Sequence, residues 1–235
     1  AQVQAVLQKA AGLDVQMLLP LHGHVWRRDL GYILGKYDLW SRFEPETQGV
    51  MIAYASVYGN TENAANILAC RLAERGVKVK MYDVSATHPS FIVSECLRAS
   101  HLVFFSTTYN AGMFVNMENL VHDIVNHNLQ NRTIAQVENG SWARTAGGLM
   151  RAEFQKLKNC TILDEGLTIK SSLKEAQLSQ MDVLAQAIYD SMDHPAPAVH
   201  EDAKPIEQNA MFSLSYGLYV LTARDGEKDN GCIIN

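Results

Sequence analysis

The chain has 235 residues, of which 47% are hydrophobic and 19% charged, a balance that supports a full apolar core and excludes the disordered class. Its formal net charge is −5, so the basic footprint of a nucleic-acid binder is absent and no nucleic-acid partner is expected. No charged-then-apolar leader opens the chain and no apolar run approaches the roughly 20 residues that span a bilayer; a cytoplasmic protein with no membrane partner is expected.

In chain order, residues 3–11 read as a helix, 15–19 as a short strand ending at Pro20, and 29–43 as a helix rich in tyrosine and tryptophan. These elements cannot close a core of their own. From residue 49 onward, β-branched runs alternate with helical patterns over five rounds, which predicts strand–helix–strand units on a parallel sheet. Strands are read at 49–55, 77–84, 101–107, 132–138 and 161–169, and helices at 61–74, 90–99, 115–127, 143–157 and 173–192. Leu102-Val103-Phe104-Phe105 is apolar on consecutive positions, so both of its faces must be covered, as in a central strand. The expected fold class is α/β, a five-stranded parallel sheet with helices on both faces. Asp193-His194-Pro195-Ala196-Pro197-Ala198 reads as a proline-stiffened linker, 213–223 as a further strand, and Asp225-Gly226 as a turn. The chain starts at Ala1 without methionine and stops within the apolar run Cys232-Ile233-Ile234-Asn235, which reads as a segment of a longer protein.

In an open parallel sheet, ligands sit beyond the carboxyl ends of the strands, so topology selects the loops that carry chemistry. After the first strand comes Ser56-Val57-Tyr58-Gly59-Asn60-Thr61, leading into a helix whose first amides lack intrahelical partners and whose dipole favours an anion. Neither G-x-G-x-x-G nor a nucleotide loop ending in Gly-Lys-Ser/Thr is present. Gly59 permits a tight turn, while Ser56, Asn60 and Thr61 add side-chain donors to a nest of N–H groups. Donors without a cation suit a buried terminal monophosphate such as that of FMN. The bland alternative for this loop is an ordinary helix N-cap.

The third strand is followed by Thr107, Thr108, Tyr109, Asn110, Ala111 and Gly112, and the fourth by Asn139, Gly140, Ser141 and Trp142. Small hydroxyls and amides beside Tyr109 and Trp142 offer polar edges and flat faces of the kind an isoalloxazine ring needs. Singly these loops are weak signals, because aromatic residues near turns more often pack than bind. Together they occupy the three positions that the topology selects.

SVYGNTEN, STTYNAG and VENGSWA resemble the FMN-binding loops of the flavodoxin-like domain of flavodiiron proteins (A-type flavoproteins). The resemblance implies a flavodoxin-like domain at 48–192, with Ser56–Thr61 holding the phosphate, 107–112 meeting the flavin and 139–142 closing over the ring. Leu19-Pro20-Leu21-His22-Gly23-His24-Val25-Trp26-Arg27 is similar to the end of a metallo-β-lactamase-like domain, so residues 1–45 are expected to be its remnant. There His22 takes the place of the last ligand of a non-haem diiron centre, although His24 stands where the family usually has proline. The other iron ligands have no counterpart in this chain. After a linker at 193–208, residues 209–235 resemble the start of a flavin-reductase-like domain. The resemblance implies an oxidoreductase in which the FMN module passes electrons to a diiron centre that reduces dioxygen or nitric oxide. It further implies a donor such as rubredoxin or a reductase domain, and a homodimer in the full-length form. The alternatives are a stand-alone flavodoxin-like carrier or NAD(P)H-quinone reductase, and a non-catalytic module.

Other polar residues read as structural. Cys70, Cys96, Cys160 and Cys232 form no C-x-x-C pair and are expected as buried free thiols. His88, His101, His122 and His127 have no paired nucleophile, and Met51, Met81, Met113, Met117 and Met150 fall on apolar patterns.

Overall fold

The computed structural model describes residues 2–193 in full and the backbone of residues 219–225 and 228–234. Residues 2–193 contain seven helices: α1 (Gln2–Ala10), α2 (Leu30–Ser41), α3 (Asn60–Glu74), α4 (Pro89–Arg98), α5 (Val115–Asn126), α6 (Ala146–Phe154) and α7 (Leu178–Asp190). Between them run β1 (Thr47–Ala55), β2 (Val79–Asp83), β3 (Ala99–Tyr109), β4 (Gly112–Met113), β5 (Thr133–Asn139), β6 (Thr161–Ile162) and β7 (Leu167–Ile169). The parallel order is β2-β1-β3-β5-β6, with β7 also pairing with β5. This is the 2-1-3-4-5 order of flavodoxin-like sheets, with its switch point between β1 and β3.

Strand periodicity divides the core into two layers. Leu102 and Phe104 of β3 join Met51 and Ala53 of β1 on one face, while Val103 and Phe105 join Val50 and Ile52 on the other. The first layer is covered by α4, α5 and α6 through Ile92, Cys96, Met117, Leu120, Ile124, Met150 and Phe154. The second is covered by α3 and α7 through Ala64, Leu68, Leu72, Met181, Leu184 and Ile188, spaced to form one face of each helix. Helix α3 ends in a left-handed glycine: Gly76 has φ +78°, and the Val77 N–H reaches back to the Leu72 carbonyl at 3.1 Å. That is the Schellman arrangement, which few residues other than glycine adopt without strain.

Several expected boundaries are corrected. Residues 15–19 form no strand; Leu18 makes one antiparallel bridge to Trp26, because no second strand lies beside this segment to extend the pairing. The strand expected at 161–169 is broken into β6 and β7, where Asp164-Glu165-Gly166 interrupts the apolar run. The helix expected at 143–157 begins at Ala146, and that at 173–192 opens with a 3-10 turn at Glu175–Gln177. β3 runs on to Tyr109 and turns back through Asn110 and Ala111, both at positive φ (47° and 57°), into β4. Two left-handed residues make the tight turn that suits a hairpin. Cys96 is buried, where burial pushes its thiol far up, and Cys160 is half-buried; Cys70 instead stands exposed on α3, contrary to the expectation of buried thiols. The expected linker beyond Asp193, residues 213–218 and the Gly226 turn position lie outside the described residues. Strands β8 (Tyr219–Asp225) and β9 (Lys228–Ile234) pair antiparallel, with Asp225 opposite Lys228.

Two buried polar residues hold the amino-terminal end of the sheet. Arg132, 2% exposed, donates to the carbonyls of Cys96 (2.9 Å) and Leu97 (2.6 Å) near the end of α4, and to those of Phe43, Gln130 and Asn131. Its guanidinium is thus solvated by carbonyl dipoles, two of them at a helix C-terminus, with the Glu44 carboxylate adding a favourable field. His101 is bonded by Ser100 Oγ at Nδ1 (2.7 Å) and by Ser191 Oγ at Nε2 (3.1 Å). Burial pushes its pKa down to about 4, so the ring is neutral in the folded chain.

Two expectations follow. Arg132→Ala orphans buried carbonyls that each cost about 1–3 kcal/mol, so denaturant unfolding is expected to show a loss of at least about 3 kcal/mol; an unchanged midpoint refutes this role. For His101 the unfolded state takes up the proton first, at its ordinary value of 6.5. Its contribution is therefore complete above that pH and is lost as pH falls toward about 4, by roughly 1.4 kcal/mol per pH unit at most. Unfolding measured from pH 7 to pH 4 should decline more steeply for the native chain than for His101→Gln, and parallel profiles would contradict the assignment.

Candidate functional site

The three selected loops meet at the carboxyl end of the sheet because their strands end in register: Ala55 lies opposite Ser106, and Thr107 opposite Asn139. Side chains then tie them together. Asn139 Nδ2 donates to Thr61 Oγ1 at 3.1 Å, linking the β5 loop to the start of α3. The same carboxamide donates to the Ser171 carbonyl at 2.7 Å and accepts the Ser171 N–H at 3.0 Å. Thr108 Oγ1 accepts the N–H groups of Thr145 (3.1 Å) and Ala146 (3.3 Å), capping α6 from β3. Glu138 accepts the Gly147 N–H at 2.9 Å on the same helix end, where a carboxylate also complements the dipole.

The first loop has the features of an anion seat. Gly59 adopts φ +81° with open space where a Cβ would stand, and α3 starts there with no side-chain cap. The first bond the helix closes on itself is from the Asn63 N–H to the Gly59 carbonyl, at 2.8 Å. Ser56 Oγ is buried and has no hydrogen-bond partner among the described residues, a costly arrangement for a hydroxyl that an incoming acceptor would satisfy. Thr61 is 2% exposed, and its oxygen accepts from Asn139, which leaves its own O–H to donate. Uncapped amides with two hydroxyls and no lysine or arginine match the donor set a phosphomonoester requires. These residues therefore fit the terminal phosphate of FMN.

The remaining loop residues are distributed unequally. Tyr58 and Trp142 are 90% and 94% exposed, and Val57, Tyr109 and Ser141 are also exposed, so the rim of the site carries uncovered aromatic surface. Tyr109 packs edge-on against Phe114, with ring centroids 6.2 Å apart. Asn110 and Ala111 occupy the hairpin turn, and Gly112 begins β4. Gly140 lies where a Cβ would meet Arg144 Cγ at 2.9 Å and Thr108 Cβ at 3.3 Å, so the second and third loops approach closely only because this position is glycine. Thr108 and Asn139 spend their polar groups on protein partners. Ser171, Glu138 and Thr145 were not among the expected site residues. The topological rule that selects the ends of β1, β3 and β5 also applies after β7, where Ser171-Ser172 follows, and was the signal available for Ser171.

His22 stands exposed on the loop after Pro20, and among the described residues no three His, Cys, Asp or Glu side chains converge to hold a metal ion. An apolar cavity of about 520 Å³ lies between α1, α2 and Leu18, Pro20 and Trp26; no residue of the three loops lines it. No described helix is long and apolar enough to cross a membrane.

The chain is similar to the nitric oxide reductase of Moorella thermoacetica, 25% identical over 158 residues that make up 67% of this chain and 39% of that one. It is similar also to the anaerobic nitric oxide reductase flavorubredoxin of Aeromonas hydrophila, 28% identical over 176 residues, or 73% of this chain and 34% of that one. It thus spans less than half the length of these relatives. Among solved structures, the rubredoxin oxygen:oxidoreductase of Desulfovibrio gigas superimposes with a TM-score of 0.74 at 23% identity, covering 80% of this chain and 48% of the other. The flavodiiron protein of Giardia intestinalis superimposes with a TM-score of 0.73 at 20% identity, with the same coverage. These two likenesses establish the fold. The flavodoxin sequence profile matches residues 52–204, and with the sheet order and the loop architecture above it, the chain belongs to the flavodoxin family.

Proposed function

We propose that this chain is the FMN-binding electron-transfer module of a flavodiiron-type oxidoreductase that delivers electrons to a diiron centre reducing dioxygen or nitric oxide. The observation that carries the reading is the uncapped start of α3 beside the Ser56 hydroxyl, unpartnered among the described residues, and the Thr61 hydroxyl, whose oxygen accepts from Asn139. Bound FMN would supply the reversible one- and two-electron chemistry; the protein supplies the seat, the orientation and the surroundings. Ser56, Thr61 and the first amides of α3 bind the phosphate. Tyr109 and Trp142 cover the flat faces of the ring and limit its contact with water. With no cation in the seat and a net charge of −5, the surroundings oppose added negative charge on the ring.

The wider assignment draws on the relatives. Those described as nitric oxide reductases share this segment with the chain, and the superposition on the Desulfovibrio gigas protein covers more of the chain than residues 52–204 alone provide. That breadth supports residues 1–45 as the end of a metallo-β-lactamase-like domain, with His22 contributing to an iron site completed by residues outside this chain. Residues 209–235 would begin a flavin-reductase-like domain, rubredoxin or a reductase domain would serve as electron donor, and the full-length protein would be a homodimer. A stand-alone carrier is the second reading, favoured by an archaeal flavodoxin that superimposes over 97% of its own length with a TM-score of 0.54.

The purified chain is expected to turn yellow with FMN and to bind it in preference to riboflavin. Thr61→Ala should weaken FMN binding by about 1–3 kcal/mol, the cost of an unmade bond to a charged group, while leaving riboflavin affinity unchanged. Fluorescence titration measures both. A chain that takes up no FMN overturns the proposal. A longer protein that shows nicotinamide-dependent turnover without bound iron favours the stand-alone reading.

A further inference from the structure

Asn139 sits where two needs meet. Its carboxamide is fixed by a two-way pairing with the Ser171 backbone, Nδ2 to the carbonyl at 2.7 Å and Oδ1 from the N–H at 3.0 Å. Ser171 itself adopts a left-handed conformation, φ 67°. The pairing settles which end of the amide is nitrogen, and it directs the second Nδ2 hydrogen at Thr61 Oγ1, 3.1 Å away. Asn139 and Thr61 are 5% and 2% exposed, so water does not compete for this bond.

A threonine hydroxyl is ordinarily ambivalent, able to donate or accept by rotating one bond. Here its oxygen already accepts, so its hydrogen is directed away from Asn139, and among the described residues no donation from Thr61 Oγ1 to a protein group occupies it. We infer that Asn139 is a positioning residue: held by the Ser171 backbone, it sets the Thr61 hydroxyl to donate toward the start of α3, and thereby makes the seat selective for an anionic group. This rests on the FMN reading and adds to it the residue pair that orients one donor. It also makes the loop after β7 part of the phosphate seat, although no residue of that loop belongs to the three loops.

Asn139→Asp replaces the donor with an acceptor, so the Thr61 hydrogen turns inward to the carboxylate. Affinities for FMN and riboflavin are titrated in the native chain, Asn139→Asp, Thr61→Val and the double variant, with riboflavin reporting the integrity of the ring site. The acid variant should lose at least about tenfold of its preference for FMN over riboflavin. That loss should be about tenfold smaller in the Thr61→Val background, where no hydroxyl remains to be turned. Equal losses in both backgrounds overturn the proposal, because they would arise from added negative charge alone. Lowering the pH should restore the preference in Asn139→Asp relative to the native chain at the same pH, as a protonated carboxyl can donate again; an acid-insensitive ratio also counts against it. If the acid variant does not fold, Asn139→Ala removes the donor without adding charge, and an unchanged preference there overturns the proposal. A native chain that binds no FMN refutes the FMN reading itself, and is distinguished by its lack of colour before any variant is made.

Discussion

The centre of the sheet is buried on both faces, and that constraint organises the rest of the molecule. β3 carries large side chains to each side, Leu102 and Phe104 to one and Val103 and Phe105 to the other, all four at most 1% exposed. At roughly 25 cal/mol per Å² of apolar surface, neither layer can be left to water. Two sets of helices are therefore required, and parallel strands need crossovers long enough to supply them. Right-handed crossovers on opposite faces make the chain reverse direction between β1 and β3, and that reversal opens the crevice in which the loops stand. The site is thus a consequence of covering a strand that is apolar on consecutive positions.

In the first of these loops, Ser56–Thr61, the donors are neutral. A lysine would bring a full charge to an anion, but it would also tolerate many anions and remain charged when none is bound. Backbone amides and hydroxyls instead require an acceptor at a defined place, and each contributes about 1.5–3 kcal/mol toward a charged group. Their directions must be fixed for this to yield selectivity. Amides at the start of α3 are fixed by the helix, whereas hydroxyls rotate and need a neighbour to hold them. The bond from Asn139 to Thr61 does this for one hydroxyl.

Much of the fold could be read from residue patterns because the determinants are local. The four-residue apolar run in β3 and the apolar spacing of α3 each act within a few positions, and each appears in the structure as expected. The single bridge at Leu18 shows the limit: strand propensity expresses itself only where a partner strand exists. Likewise the break between β6 and β7 follows from three residues, Asp164-Glu165-Gly166, inside an otherwise apolar window. At the site, the loops and their amides were readable from topology, whereas the bonds between loops were not. Asn139 meets Thr61 across 78 residues and Ser171 across 32, separations at which no periodicity operates. Thr108 carries a hydroxyl suited to a ligand, yet the fold places it against the N–H groups of α6.

The two ends of the sheet treat buried polar groups in opposite ways. At the amino-terminal end Arg132 makes five bonds to carbonyls and His101 is bonded at both ring nitrogens, so both have partners inside the protein. At the carboxyl end Ser56 Oγ and Thr145 Oγ1 are buried without partners among the described residues. Gln136 Oε1, midway along β5, is also unpartnered and lies outside this pattern. Leaving a hydroxyl unsatisfied costs about 1–3 kcal/mol, which selection for stability alone would remove. Ser56 Oγ stands where β1 ends, beside the uncapped start of α3, and an acceptor arriving there would satisfy it. Arg132, just before β5, and His101, near the start of β3, secure the strands whose far ends carry the loops of the site. On the proposed FMN reading, stability and ligand binding are separated along the length of the same strands, so the loops can keep unsatisfied groups while the fold stays anchored at the opposite end.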